Sequence, residues 1–187
     1  QDYADQLDDP SGAQVEAVID SDLRKPRMHD FFKVRDDIGL TDVLAAELEP
    51  VNAIQPTVVA NLSVMAAGGQ PENPSEILSA QAFDVVLEPL RNQFDVILID
   101  TPPLLAVTDP CIIANHTEAM IFVSRVGKNR IAAISRSQEL IDMHNISTVG
   151  SVINGVEASE AYGRYRETDR YESKRPALEP EPEPVLN

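Results

Sequence analysis

The chain has 187 residues, 43% of them hydrophobic, a net charge of −16 and one cysteine, Cys111. That length suits one domain with a real core plus a tail, while the charge argues against nucleic acid, which needs a basic stripe, and against direct docking on an anionic membrane. One cysteine rules out an internal disulfide framework or a cysteine metal cluster; no apolar run approaches the roughly 18 residues that span a bilayer, and with no signal-peptide pattern at its start a cytoplasmic setting is expected.

Residues 1–13 are Asp-rich, carry no Lys or Arg and lack an apolar period, so they read as a disordered acidic leader. The folded domain is expected over 14–156. Residues 15–19 form a short strand that delivers Asp20 and Asp22 to its carboxyl end, followed by Arg24 and a basic turn over 25–29. A helix starts after Gly39, with Thr41 as its N-cap and Leu44 and Leu48 on one face. Residues 61–65 are a strand opening into Ala66-Ala67-Gly68-Gly69, and residues 71–76 cap a helix into Ile77 and Leu78. A further helical pattern runs over 80–91, where Pro89 is expected to bend or shorten it.

Phe94-Asp95-Val96-Ile97-Leu98-Ile99-Asp100-Thr101-Pro102-Pro103 is the centre of the pattern. Its apolar, mostly β-branched run predicts a strand buried on both faces, as in a parallel sheet. The strand stops on a carboxylate at the sheet's carboxyl edge, where ligands of open α/β sheets sit, and the prolines forbid continuation. Thr108-Asp109-Pro110 starts a helix. A strand over 119–123, a helix over 131–143 and a strand over 148–153 complete the alternation, which predicts an α/β fold with a mostly parallel sheet. Residues 157–187 hold Tyr162, Tyr165 and Tyr171 among Arg and Glu, then alternate Glu and Pro, and read as a disordered, polyproline-like tail. His29, His116 and His144 are scattered and read as surface or capping residues, and Cys111 as a buried structural thiol.

Five stretches together resemble the cytoplasmic domain of the bacterial tyrosine kinases of the polysaccharide co-polymerase family. They are Val18-Ile19-Asp20-Ser21-Asp22-Leu23-Arg24-Lys25-Pro26-Arg27, Gly39-Leu40-Thr41-Asp42-Val43-Leu44, the run over 68–78, the run over 94–109, and Asn154-Gly155-Val156. The resemblance implies a three-layer, P-loop-NTPase-like sheet of the deviant-Walker type. It implies ATP and Mg2+ as cofactors and transfer of phosphate to clustered tyrosines near the C-terminus, regulating capsular or exopolysaccharide synthesis and export. Implied partners are a transmembrane co-polymerase or activator and further copies of the chain, placing the domain at the inner face of the membrane.

In residue terms the resemblance makes Asp22 and Asp100 magnesium ligands, directly or through water. Asp20 becomes the general base, Arg24 a steadying cation for phosphate or carboxylate, Asn154 the reader of adenine, and Tyr162, Tyr165 and Tyr171 the phosphoacceptors. One departure stands out. The family carries a glycine-rich phosphate loop ending Gly-Lys-Ser/Thr on its own strand, and this sequence has none: Gly127-Lys128 is followed by Asn129, with Phe122 where the first glycine belongs. The expectation is therefore a domain rearranged or truncated upstream of residue 16, with impaired ATP binding and an unpaired edge along 96–99. The rival functions are a non-catalytic regulatory module of the export complex and a partitioning-type ATPase.

Overall fold

The structure, a computed structural model, describes residues 15–156 apart from 79 and 129. The leader, the tail and the three tail tyrosines lie outside the described residues. In chain order the elements are β1 (Glu16–Asp20), α1 (Met28–Phe32), α2 (Leu40–Leu44), α3 (Pro50–Ala53), β2 (Ile54–Pro56), β3 (Leu62–Met65), α4 (Pro74–Ile77), α5 (Ala80–Leu90), β4 (Val96–Asp100), α6 (Asp109–Ala114), β5 (Met120–Arg125), α7 (Ile131–Met143) and β6 (Thr148–Asn154).

The strands form two sheets, one in the order β2-β3-β1-β4 and one of β5 and β6. β1 is parallel to β3 and β4, β5 is parallel to β6, and among the described strands β2 alone runs antiparallel, against β3. The expected α/β class with a mostly parallel sheet is the one observed. β2, α1 and α3 are additions to the expected pattern, each too short to show a period in sequence.

On one face of the larger sheet Ile19 and Met65 meet Leu40, Val43, Phe83, Leu87 and Leu90 in the main core. Burying side chains of this kind contributes about 1.5–3 kcal/mol apiece. Ile97 and Ile99 of β4 pack against the same core. A second, smaller core gathers Cys111, Ile141 and Ile146 against Met120 and Phe122. α6 joins the two, since its Ile113 lies in the first and its Cys111 in the second.

Two expectations need correction. The strand over 96–99 is not buried on both faces, since Leu98 is 47% exposed. The edge expected along 96–99 is observed: among the described residues β4 pairs with β1 alone. The N-cap of α2 is Gly39, not Thr41: the Asp42 carboxylate accepts the Gly39 N–H at 2.8 Å, while the Thr41 hydroxyl donates to the Ala67 carbonyl at 3.0 Å. Pro89, expected to bend or shorten the helix, sits in the last turn of α5, which ends at Leu90, and Arg91 N–H still reaches the Leu87 carbonyl at 3.0 Å.

Candidate functional site

β1 and β4 are parallel neighbours in register from Glu16↔Val96 to Asp20↔Asp100, so both strands end on an aspartate at the same edge of the sheet. Two further bonds lock the ends together. Ser21 N–H donates to the Asp100 carbonyl at 2.9 Å, and the Ser21 hydroxyl donates to the same oxygen. At the opposite end Val15 N–H donates to Asp95 Oδ2 at 2.8 Å. The apolar strands thus fix where the acids emerge.

Asp20 is fully buried. Its Oδ2 accepts the N–H groups of Arg27 and Met28 at 2.9 and 3.0 Å, and its Oδ1 accepts Asp22 N–H at 3.2 Å. Those donors are among the N–H groups that the start of α1 leaves unpaired, so Asp20 holds α1 against the end of β1. Asp22 caps the next turn: its Oδ1 accepts Arg24 N–H at 3.2 Å and Lys25 N–H at 3.0 Å. Such turns form because a short carboxylate can bond backbone two or three residues on.

Asp100 reaches solvent, yet its carboxyl is pushed above the ordinary carboxylate value, first by partial burial and then by the charges of Asp20 and Asp22. The three acids therefore act on one another at one rim. Arg24 reaches across to Asp109, with Nε 3.5 Å from Oδ2, and Asp109 is only 1% exposed at the start of α6. Asp109 was legible in sequence only as a helix start, because an acid before proline at a first turn is the ordinary pattern there. Ser21 was missed for the same kind of reason, since a serine between two aspartates reads as turn. Asn154 ends β6, opposite Arg125, and so belongs to the second sheet rather than to the strands that carry the acids.

Among the described residues no three His, Cys, Asp or Glu side chains are gathered closely enough to cage a metal ion. Magnesium does not require a cage, because it keeps several waters and takes one or two carboxylates with phosphate oxygens. Asp22 and Asp100 offer carboxylates of that kind, and a divalent cation would offset the charge that Asp20 and Asp22 place on Asp100 beside its partial burial. The fit to a nucleotide is partial. Acids for the metal are present, while the described residues include no glycine-rich loop ending in Lys and Ser or Thr to surround the phosphates.

The chain matches no protein-family model. It is 35% identical over 144 residues to the tyrosine-protein kinase ptk of Acinetobacter johnsonii, covering 77% of this chain and 20% of that protein. To the tyrosine-protein kinase wzc of Salmonella typhimurium it is 32% identical over 161 residues, covering 84% and 22%. The chain thus spans about a fifth of the length of these curated relatives. Among solved structures, the kinase domain of Escherichia coli tyrosine kinase ETK superposes with a TM-score of 0.73 at 31% identity, over 76% of this chain and 56% of that one. The chimerical protein CapA2B2 gives 0.71 at 28%, over 75% and 62%. The septum site-determining protein MinD of Pyrococcus horikoshii, solved with Mg-ADP, gives 0.61 at 20% over 75% and 57%, a likeness of fold alone. By sequence and by fold, the chain belongs to the bacterial tyrosine-kinase family.

Proposed function

We propose that this chain is the part of a bacterial tyrosine kinase that holds the metal of MgATP and presents its own tail tyrosines for phosphorylation, in the control of capsular or exopolysaccharide synthesis. The observation that carries the reading is the register of β1 against β4, which sets Asp20 and Asp100 side by side with Asp22 next in the chain. Kinship to tyrosine kinases at more than 30% identity supplies the reaction class.

In this reading Asp22 and Asp100 hold magnesium, directly or through its waters, and the bound metal supplies charge neutralisation on the transferred phosphate. Arg24, steadied by Asp109, faces the developing phosphate charge. Asp20 was expected as the proton acceptor, but it lies buried under three backbone N–H groups. We therefore assign it the fastening of the acidic loop, with proton transfer only if that loop opens. Asn154 as the adenine reader and Tyr162, Tyr165 and Tyr171 as phosphoacceptors complete the proposal. ATP, magnesium, self-association and a transmembrane activator are its cofactors and partners; CapA2B2, a solved chimera, resembles this chain. No described helix is long and apolar enough to cross a membrane.

Radiolabelled ATP with detection by phosphotyrosine antibody tests this. The expected result is Mg2+-dependent label on the tail, slower than for the ETK kinase domain and absent in Asp100→Ala. No label, together with retained binding to a membrane activator, would replace the kinase by a regulatory module.

A further inference from the structure

Arg24 follows Asp22 closely, and its backbone is tied to that acid: Asp22 Oδ1 accepts the N–H groups of Arg24 and Lys25 at 3.2 and 3.0 Å. A guanidinium on so short a tether has Asp22 within one turn of chain and Asp100 on the neighbouring strand end. Burial first, then Asp20 and Asp22, push the Asp100 carboxyl upward. The field of that rim favours any cation nearby, and arginine can engage a carboxylate with two parallel N–H groups. Seated there, Arg24 would occupy the oxygens that a metal needs.

The structure turns the side chain toward α6 instead. Arg24 Nε lies 3.5 Å from Oδ2 of Asp109, whose side chain is 1% exposed against 39% for Arg24. That burial decides the pairing. A carboxylate taken out of water gains more from a cation than one at a wet rim, where the attraction is screened, and stripped of its partner it becomes a strong liability. Asp109 is also fixed in place. Pro110 follows it at the start of α6, and the Thr108 carbonyl accepts the N–H groups of Cys111 and Ile112 at 3.0 and 3.2 Å. Ile113 and Cys111 then anchor the helix in the two cores.

We propose that Asp109 is a positioning residue that holds the Arg24 guanidinium away from the acidic rim, and so keeps the Asp22 and Asp100 carboxylates open to a divalent cation. The holding stands on the ion pair, the burial of Asp109 and the turn at Asp22; its benefit to a metal rests on the nucleotide reading above. Once the charge of Asp109 is removed, Arg24 swings to the rim, where it offsets the repulsion on Asp100 and competes with the cation.

The test compares the native chain, Asp109→Asn and the double variant Arg24→Gln/Asp109→Asn in two measurements. The first is thermal unfolding at pH 7 without metal, with Asp100→Asn added to each background. That substitution is expected to raise Tm in the native and double-variant backgrounds. In Asp109→Asn the rise is expected to shrink to about half or less, because Arg24 already answers the charge of Asp100. The second is binding of Mn2+ without nucleotide, read by electron paramagnetic resonance of the free ion. Affinity is expected to weaken by about five-fold or more in Asp109→Asn and to return to within about two-fold of native in the double variant. A merely structural Asp109 gives no such rescue, since removing the guanidinium cannot rebuild a helix start. An equal Tm rise in all backgrounds overturns the holding, and lost Mn2+ binding without rescue overturns the positioning role. The Tm pattern without Mn2+ binding by the native chain leaves the holding standing and removes the metal reading. Should Asp109→Asn fail to fold, the Arg24 Nε–H resonance decides in its place. It is expected to stay unmoved by Asp100→Asn in the native background, and a shift there overturns the proposal by placing Arg24 on the rim.

Discussion

Asp100 carries the sharpest consequence at the scale of single residues. Its folded pKa lies above the ordinary value of 3.8, through burial first and then Asp20 and Asp22. The folded state therefore holds its proton to higher pH than the unfolded chain does, and stability falls as pH rises from about that value through the raised one. Above that window the penalty is fully present. Asp100→Asn is predicted to raise Tm at pH 7 without metal, by about 2–4 °C for each kcal/mol relieved, and to leave it unchanged at pH 3. Added Mg2+ should stabilise the native chain and not the variant, as differential scanning calorimetry would show. Asp20 is the opposite case. The buried Asp20 accepts three backbone N–H groups with its Oδ atoms, so Asp20→Ala is predicted to lose about 2–4 kcal/mol in urea denaturation. The sequence shows both residues as acids ending strands, and from that alone they look equivalent. What separates them is which one lies beneath the amides of α1, a matter of how the loop folds back.

At the scale of elements, two close contacts hold the acidic loop and α2 in place. Gly39 lies so near the end of β3 that an added Cβ would collide with the Ala66 carbonyl and the Gly68 nitrogen. Gly39→Ala is predicted to cost about 3 kcal/mol or more, because the obstruction is backbone and cannot turn aside; a lowered midpoint with unchanged slope in denaturant would show it. The Arg24–Asp109 pair links the loop after β1 to α6. Asp109→Ala should destabilise by about 1–3 kcal/mol, more than Arg24→Met, since Arg24 is partly exposed and Asp109 is buried. The long elements were readable in advance. α5, α7 and the strands other than β2 carry enough apolar residues to declare themselves, whereas α1, α3 and β2 span five residues or fewer. Elements that short are set by tertiary bonds, such as Asp20 holding α1, and local sequence does not encode those.

The whole molecule is defined by a sheet in two parts. The lack of a Gly-Lys-Ser/Thr run was legible in this sequence, and among the described residues β4 stands at one edge of its sheet. The depth of that edge was not legible, since the Val96–Ile99 run has the composition of a central strand; composition records what a strand is suited to bury and not what lies beside it. Edges of this kind pair with one another at high concentration. Ile121→Lys and Val123→Lys are predicted to suppress concentration-dependent association in sedimentation, with stability changed by about 0.5 kcal/mol or less because both side chains are exposed.

The account depends most on the acidic rim taking a metal-bound triphosphate. Equilibrium binding of radiolabelled ATP, with and without Mg2+, to the native chain and to folded Asp100→Asn tests that directly. The account predicts saturable binding that requires Mg2+ and is lost in the variant; binding equal without metal, or undiminished in Asp100→Asn, would contradict it.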